Sequence, residues 1–393
     1  MGHWKDKYVI GITGNIATGK SLVRKMLQHL GAYTVDADGL AHQVMAPNAP
    51  AYRPIVEWFG KWVVGQDGRI DRERLGSVAF SHPIALKRLE DITHPIIGQA
   101  IDTLITRAKH KIVVVEAIKL LEGDLASKVD AIWVVDSTPE KQLERLMQTR
   151  GMTQLEARKR ITVQNPQSEK LDAAKVVIHN NGDPSETFEQ VKSAWDRITG
   201  ATPASQTTDT IRMVVVNPQA GTTATRKREL KEIKIKRPKP SDFDAIARLI
   251  NTTKNKNLSK ADIMISYSET SYLVAESAND IVGLIGFVVE NLITQSSEIA
   301  IPHDVPIESV LSELIKEMEE AADALQSEVS FIYLHAKDSQ EVIGFLTSKL
   351  GYNLLERVED IKFPAWREAL RSRPEGTSIL VKQLREDRIL TPF

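Results

Sequence analysis

The residues that point most clearly to chemistry form a glycine-rich loop near the start of the chain. Residues 14–21 read Gly-Asn-Ile-Ala-Thr-Gly-Lys-Ser, which matches the G-x-x-x-x-G-K-[ST] pattern of phosphate-binding loops. The glycines let backbone amides turn toward the phosphates, Lys20 can reach the outer phosphates, and the Ser21 hydroxyl can ligate Mg²⁺. An apolar run precedes the loop and a helical pattern follows it, so the first helix directs its positive end at the anion. The motif predicts a nucleotide site and leaves the reaction open, because NTPases, switches, kinases and motors share it.

Two carboxylates are expected beside this loop. The predicted second strand ends in Val35-Asp36-Ala37-Asp38, and ligands of parallel sheets lie beyond the carboxyl ends of the strands. One carboxylate can accept the proton of an alcohol while another holds Mg²⁺ through water, which suits a kinase of a small hydroxyl compound. The alternative is that Asp-Ala-Asp only caps the following helix.

Arginines follow the fourth predicted strand, where a lid can close on the transferred phosphoryl group. Arg145 and Arg150 are the lid candidates, because a planar guanidinium suits phosphate and a closed lid excludes water. A GTPase would carry Asn-Lys-x-Asp after one strand, whereas Asp136-Ser137-Thr138 stands here. The third strand ends in Glu116, whereas motor and transporter ATPases usually have an Asp there. This difference makes a motor or transporter ATPase a weaker alternative, which stays open.

The elements that must position these residues alternate through the first half of the chain. From residue 8 to about 200, short β-branched runs alternate with longer helical periods, which predicts an α/β fold with a parallel sheet covered by helices on both faces. Gly31 is predicted to end the first helix, and Pro139 to begin another behind Ser137 and Thr138. The candidate strands are Val9–Thr13, Ala32–Val35, Ile112–Val115, Ala131–Val135 and Val176–Ile178.

A second, mixed pattern follows a polar stretch. Residues 201–231 are predicted to be a linker with a strand-like run at Ile211–Val216. The linker also contains the start of a basic segment that continues to Lys239. We interpret this segment as solvated in preference to a nucleic-acid contact. From residue 232 the pattern predicts an α+β domain, so the predicted domains are 1–200 and 232–393. Its candidate elements are strand Ile233–Lys236, a helix from Asp242, strands Tyr272–Glu276 and Ile281–Val289, helix Ile307–Leu325, strand Val329–His335, helix Ser339–Leu350 and strand Ser378–Leu384.

The composition limits the kinds of binding partner and site that the chain can have. The 393 residues are 42% apolar and 26% charged with a net charge of −1, which removes the electrostatic argument for nucleic acid or an acidic membrane as the main partner. The absence of cysteine excludes disulfides, thiolate zinc sites and cysteine nucleophiles. Because the sequence has neither a signal-like stretch nor a long apolar run, we expect a cytoplasmic protein, and a homo-oligomer stays open.

The motifs of the first domain resemble those of dephospho-CoA kinases over residues 8–198. The resemblance implies transfer of the γ-phosphoryl group of Mg²⁺-ATP to the ribose 3′-hydroxyl of dephospho-CoA, which gives CoA. The chain departs from the family at Ile118-Lys119, in the segment that shapes the acceptor pocket, and at His42, where an arginine is common. The matching segments are 11–21, Val35–Ala41, Ile70–Leu75, Thr93–Pro95, Leu120–Glu122, Gln142–Leu146, Arg150–Thr153, Gln164 and Val176–Gly182.

The resemblance assigns a role to each candidate site residue. Asp38 would be the base, and the other implied catalytic residues are Asp36, Lys20, Arg145 and Arg150. The residues implied to hold the nucleotide are Gly14, Asn15, Ile16, Ala17, Thr18, Gly19, Lys20, Ser21, Leu22 and Asn181, with Ser21 as the Mg²⁺ ligand. Those implied for the acceptor are Asp38, Arg72, His94 and Glu122. For His94 the alternative is a histidine at a helix start that only packs.

The second domain resembles GNAT-type N-acetyltransferases more faintly. The segments that carry this resemblance are 272–276, 280–287 and 344–352. Residues 301–308, Ile-Pro-His-Asp-Val-Pro-Ile-Glu, stand where that fold grips a pyrophosphate, yet they contain no glycine and two prolines. We therefore expect a degenerate, non-catalytic module for CoA or acyl-CoA sensing or for assembly. For the whole chain the alternatives are a non-catalytic nucleotide-dependent regulator and a kinase of another small hydroxyl compound.

Overall fold

The computed structural model describes residues 2–200, 212–215, 230, 232–238, 240–335, 340–387 and 389. These residues divide into two compact units. The first contains the described residues up to Asn181, the segment Arg357–Arg373, and Asp387 with Ile389. The second contains the described residues of Gly182–Glu356 and Pro374–Glu386. None of the described helices is long and apolar enough to cross a membrane.

A five-stranded parallel sheet forms the centre of the first unit. Its strands are β1 (Tyr8–Thr13), β2 (Tyr33–Asp36), β3 (Ile112–Glu116), β4 (Ala131–Asp136) and β5 (Val176–His179). They pair in the order β2-β3-β1-β4-β5, each pair parallel. Consecutive residues of the inner strands are fully buried, such as Val9 and Ile10 of β1 and Val113–Val115 of β3, as expected where helices cover both faces. The predicted α/β fold is confirmed.

Helices connect these parallel strands. They are α1 (Lys20–His29), α2 (Ala37–Val44), α3 (Tyr52–Phe59), α4 (Arg72–Ala79), α5 (Pro83–Arg107), α6 (Leu125–Lys128), α7 (Pro139–Arg150), α8 (Gln154–Thr162) and α9 (Gln167–Asp172). Two predicted helix ends are confirmed. Gly31 follows α1 with a φ of 107°, and the Thr138 hydroxyl caps α7 with Pro139 in the first position.

The longest helix, α5, contains the Thr93-His94-Pro95 motif. It continues through Pro95, so the interpretation of His94 as a residue at a helix start is wrong. A proline has no amide hydrogen and removes one hydrogen bond from a helix. Close by, the Thr93 hydroxyl donates to the Leu89 carbonyl at 2.8 Å. His94 is exposed on this helix.

The second unit is an α+β arrangement around an eight-stranded sheet, as predicted. Its elements are α10 (Pro184–Thr199), β6 (Arg212–Val215), β7 (Glu232–Lys236), α11 (Phe243–Lys254), α12 (Lys260–Glu269), β8 (Ser271–Ser277), β9 (Asp280–Glu290), β10 (Ile293–Ala300), α13 (Ile307–Ala324), β11 (Val329–His335), α14 (Gln340–Lys349), β12 (Asn353–Leu355) and β13 (Thr377–Gln383). The order is β12-β13-β11-β10-β9-β8-β7-β6. Among the described strands of this sheet, β10 and β11 are the one parallel pair. The patterns missed α12, β10 and β12. One further helix, α15 (Pro364–Ala369), belongs to the first unit.

The predicted domain boundaries stay predictions. Of the predicted linker 201–231, the structure describes only β6 and Leu230, and the rest lies outside the described residues. Ser339, the predicted start of a helix, also lies outside them, as do the basic residues Arg226–Arg228, Lys231 and Lys239.

Alternation along β8 explains how this second sheet buries both faces. Leu273 and Ala275 belong to a core cluster that includes Leu311 and Leu314 of α13. Tyr272 and Val274, one step away along the strand, join a separate cluster with residues of α11. Successive side chains of a strand point to opposite faces, so a strand of apolar residues supports a helix layer on each side.

The contact between β9 and α13 generates a prediction about Gly283. A Cβ there would lie 2.4 Å from Cγ1 of Val310 and 3.3 Å from Cδ1 of Leu314. We expect Gly283→Ala to destabilise the fold by about 1–3 kcal/mol through overpacking. The matched control is Gly344→Ala on α14, where no atom lies within 4 Å and a gain of about 0.5–1 kcal/mol is expected. Urea unfolding followed by circular dichroism checks both, and equal effects of the two variants would contradict this packing.

Candidate active site

The phosphate loop joins β1 to α1 and depends on two glycines. Gly14 and Gly19 have φ values of 151° and 96°. A Cβ on Gly14 would lie 2.4 Å from the Val135 carbonyl oxygen, and one on Gly19 would lie 2.1 Å from Nδ2 of Asn180. These positions therefore need glycine. Because Lys20 and Ser21 begin α1, the positive end of that helix faces the loop.

Lys20 reaches back across the loop. Its Nζ donates to the Asn15 carbonyl at 3.1 Å, and the Thr18 hydroxyl donates to the same oxygen at 2.9 Å. The side chain is buried, and this burial lowers the pKa of Lys20, while the charges of Glu116 and Asp38 act in the opposite direction. A lysine on the inner side of the loop is placed to meet a phosphate with little water between them.

Side chains from the α8–α9 connection and from α9 also bind the loop. Oε1 of Gln164 accepts from the Ile16 amide at 2.8 Å, and Oε1 of Gln167 accepts from the Asn15 amide at 3.1 Å. Lys170 donates to Oδ1 of Asn15. Oxygen acceptors thus already hold two loop amides, and a phosphate would offer acceptors of the same kind. Gln164 belongs to a motif recognised in the sequence, whereas Gln167 and Lys170 were missed.

Arg145, predicted to be a lid residue, braces the loop. Its guanidinium donates to the carbonyls of Ala17 at 3.1 Å and Asn180 at 2.8 Å, and to the Ser137 hydroxyl at 3.2 Å. Arg145 therefore ties the phosphate loop to the loop after β5. Its action on a phosphoryl group stays a prediction.

Two other predicted residues lie nearby in the sequence of elements, Asn181 after β5 and Arg150 at the end of α7. Oδ1 of Asn181 accepts from the Thr138 amide at 2.8 Å and from the Ser137 hydroxyl at 3.1 Å. Arg150 is exposed at the end of α7, and its charge is one of the influences that lower the pKa of Lys20, after burial. The contact of Asn181 with a nucleotide and that of Arg150 with a phosphate stay predictions.

The two aspartates after β2 have different partners. Oδ1 of Asp36 accepts from the Gly39 amide at 2.9 Å and caps α2, so the capping alternative applies to Asp36. Oδ2 of Asp38 accepts from the Ile118 amide at 3.3 Å, which means that the divergent acceptor segment holds this carboxylate through its backbone. Burial, reinforced by the negative charge of Asp36, raises the pKa of Asp38 to about 6. Asp38 is thus ionised at neutral pH and able to accept a proton.

Glu116 is a site residue that the sequence did not identify. Its Oε1 accepts from the Ser21 hydroxyl at 2.8 Å, and its Oε2 accepts from Nε of Arg24 at 2.7 Å. Glu116 and Arg24 are 4% and 2% exposed, so the ion pair is buried. The available signal was a carboxylate that ends an apolar strand directly beside the phosphate loop.

The residues predicted for the acceptor lie on separate elements. Nη2 of Arg72, in the first position of α4, donates to Oε1 of Glu368 at 2.9 Å. Glu122 accepts from Nδ2 of Asn165 at 3.4 Å and lies 3.6 Å from Nζ of Lys119. The structure groups Asp38 with Lys20 and Glu116, whose charges act on its pKa. The roles of Arg72, Glu122 and His94 toward an acceptor stay predictions.

The donor set beside the loop fits a magnesium ion. The Ser21 hydroxyl and the Glu116 carboxylate lie 2.8 Å apart. The negative charge of Glu116 also contributes to the raised pKa of Asp38. Mg²⁺ prefers such hard oxygen ligands and keeps several waters. Ser21 is the residue that would hold the ion, with Glu116 beside it.

The fold and the site together define a class. A phosphate loop between β1 and α1, carboxylates at the ends of β2 and β3, and a parallel sheet place this protein among the P-loop phosphotransferases. The family model described as dephospho-CoA kinase matches residues 8–186. A dephospho-CoA kinase of Geobacter sulfurreducens is 40% identical over 190 residues, which cover 48% of this chain and 96% of that relative. The chain belongs to the dephospho-CoA kinase family.

Solved structures show two similarities. A dephospho-CoA kinase from Campylobacter jejuni has 26% identity and a TM-score of 0.38, and the match covers 50% of this chain and 100% of that one. The PaiA N-acetyltransferase from Thermoplasma acidophilum in complex with coenzyme A has 13% identity and a TM-score of 0.30, and the match covers 38% of this chain and 98% of that one.

The buried ion pair generates a prediction about stability. Glu116→Ala leaves Arg24 buried without this carboxylate, so we expect a loss of about 3–5 kcal/mol in the free energy of unfolding. The matched control is Glu90→Ala, which removes a half-exposed pair with Lys119 and is expected to cost less than about 1 kcal/mol. Urea unfolding measures both. Equal losses would show that Glu116 is not needed to compensate Arg24.

Proposed function

We propose that this chain transfers the γ-phosphoryl group of ATP to the ribose 3′-hydroxyl of dephospho-CoA. The observation that carries the proposal is the Asp38 carboxylate, with its raised pKa, beside the phosphate loop and Lys20. A base next to a phosphate cradle is what transfer to an alcohol requires. Membership of the dephospho-CoA kinase family supports the choice of acceptor.

In the proposed reaction one bond forms, one bond breaks and one proton is transferred. The 3′-hydroxyl oxygen bonds to the γ-phosphorus, the bond from this phosphorus to the β,γ-bridging oxygen breaks, and ADP leaves. Asp38 accepts the hydroxyl proton. Its ionised form is available above about pH 6, so the base is ready at neutral pH and still basic enough to take the proton as the new bond forms.

The other residues stabilise charge and hold position. Loop amides and the start of α1 bind phosphate oxygens, and Lys20 meets the charge that develops on the transferred group. Arg145 keeps the loop in this conformation through its carbonyl contacts. Bound Mg²⁺ supplies charge neutralisation on the outer phosphates. Ser21 and Glu116 would orient that ion.

Removal of the base or of the lysine tests the proposal. We expect Asp38→Asn and Lys20→Ala each to lower kcat with dephospho-CoA at least about a hundredfold, because base catalysis or electrostatic stabilisation is lost. Asp124→Asn is the matched control, since Asp124 is an exposed carboxylate outside this site. The readout is ADP release, with adenosine and shikimate as other acceptors.

The pH profile of the same reaction identifies the base. A pKa raised to about 6 keeps the carboxyl protonated as the pH falls through that value, so kcat/KM of the wild type should drop about tenfold per pH unit below it. The residual activity of Asp38→Asn should lack this step. An unchanged rate in Asp38→Asn would remove Asp38 as the base.

For the second unit we propose non-catalytic binding of CoA or an acyl-CoA. Strands β10 and β11 pair only between Ile293–Ser296 and Val329–Ile332, although they extend to Ala300 and His335. Beyond this point no ladder pair joins these two strands in the part of the chain that the structure describes. The segment after β10 contains Pro302 and Pro306, and prolines offer no amide to a pyrophosphate. Fewer amide donors weaken the contacts to a pyrophosphate, which supports binding without catalysis.

Titration of the full chain tests this second proposal. Saturating dephospho-CoA without ATP occupies the kinase site, and acetyl-CoA is then added in a calorimeter. We expect saturable binding that dephospho-CoA does not displace, and no acetyl transfer to amines. In the control titration without dephospho-CoA, acetyl-CoA should give a second binding transition, from the unoccupied kinase site. No binding at millimolar acetyl-CoA would contradict the proposal.

A further inference from the structure

Three arginines line a cavity in the first unit, beside the C-terminal part of α2. Helix α15 packs on α2, and it brings Glu368 to this cavity, followed by Arg371. A small cavity of about 20 Å³, open to solvent, is lined there by His42, Arg69, Arg72, Glu368 and Arg371 together with four apolar residues. All of these residues belong to the same compact unit.

Positive charge prevails in this cavity. Three guanidiniums meet the single carboxylate of Glu368: Arg69 contacts it closely, Nη2 of Arg72 lies at 2.9 Å and Nη1 of Arg371 at 3.4 Å. A second carboxylate, that of Asp67, binds Nη2 of Arg371 at 2.9 Å and lies outside the lining. Burial and the neighbouring Arg72 lower the pKa of His42, so His42 adds no charge at neutral pH. The lining therefore attracts anions.

One lining residue of the cavity, His42, lies one helical turn from Asp38, the proposed base. His42 follows Asp38 by four residues on α2, so both side chains lie on one face of the helix, about 6 Å apart along its axis. An acceptor whose hydroxyl lies at Asp38 can extend its charged groups in this direction. Arg72 and Arg371 are 45% and 49% exposed, so a ligand can reach both guanidiniums.

Two carboxylates fix the orientation of the Arg371 guanidinium. Asp67 and Glu368 bind it through different nitrogens, which orients the planar fork of five donors that makes arginine a good phosphate ligand. Glu368 has a second effect, because its carboxylate shares Arg69 and Arg72 with any incoming anion.

We propose that this cavity is an anion subsite of the acceptor, in which Arg371, supplied by the segment after residue 356, binds phosphate oxygens of the substrate in competition with the Glu368 carboxylate. The inference rests on the proposed kinase function and adds to it two residues, Arg371 and Glu368, that determine acceptor affinity. The occupant is the phosphate-bearing part of dephospho-CoA.

Charge changes of opposite sign test the subsite. Arg371→Ala removes a phosphate ligand and should raise the KM for dephospho-CoA about tenfold. Glu368→Gln removes the competing negative charge with little change of shape and should lower that KM about threefold. The KM for ATP should stay unchanged in both variants. Arg357→Ala is the matched control, because Arg357 lies on the same segment, is 74% exposed and pairs with Asp360.

The outcomes separate this inference from the proposed function. An unchanged KM in Arg371→Ala, or a raised KM in both variants, would overturn the subsite, since a merely structural role gives the same sign for each. If the wild type does not phosphorylate dephospho-CoA, the proposed function fails. Calorimetric binding of dephospho-CoA then decides the subsite, with weaker binding in Arg371→Ala and tighter binding in Glu368→Gln expected.

Discussion

The arrangement of the active site depends on one buried carboxylate. Glu116 ends β3 and is held by the Ser21 hydroxyl and by Arg24, both on α1. A carboxylate and a guanidinium withdrawn from water are tolerated only when they are paired with good geometry. The pair therefore fixes how α1 lies on the sheet. Since the phosphate loop runs directly into α1, it also fixes the direction in which the loop presents its amides.

Burial sets the proton affinities of the site, and the neighbouring charges modify them. Lys20 is buried and its pKa is lowered, while the pKa of Asp38 is raised by burial and then by Asp36. Each ion is therefore less stable here than in water, and each gains from a ligand that brings the complementary charge or takes up the proton. The nucleotide phosphates suit Lys20, and a hydroxyl proton suits Asp38. The strain of burial is thus placed at the two groups to which the proposed reaction assigns charge stabilisation and proton transfer.

Much of the first sheet was predictable because its signals are local, whereas the roles predicted for the site residues stay predictions. The five strands of the first sheet differ from their predicted bounds by at most one residue at an end, since strands buried on both faces are continuous apolar runs. The contacts of long side chains were not predictable. Arg145 was expected to meet a phosphate, yet its donors bind the Ala17 and Asn180 carbonyls, a choice that depends on distant backbone. Strand β10, Ile-Thr-Gln-Ser-Ser-Glu-Ile-Ala, was missed because its polar residues hide the periodicity.

The contact between α15 and the arginines shows why stability and binding must be considered separately. Burial holds this segment in place, because Trp366 and Leu370 are 5% and 0% exposed, and each buried side chain of this size contributes about 2–3 kcal/mol. The ion pairs of Arg72 and Arg371 are half-exposed, and such pairs contribute less than about 1 kcal/mol. The three guanidiniums, which share the carboxylates of Glu368 and Asp67, also repel one another. The fold would thus lose little without Arg371, whereas an anion placed among these arginines would remove the excess positive charge.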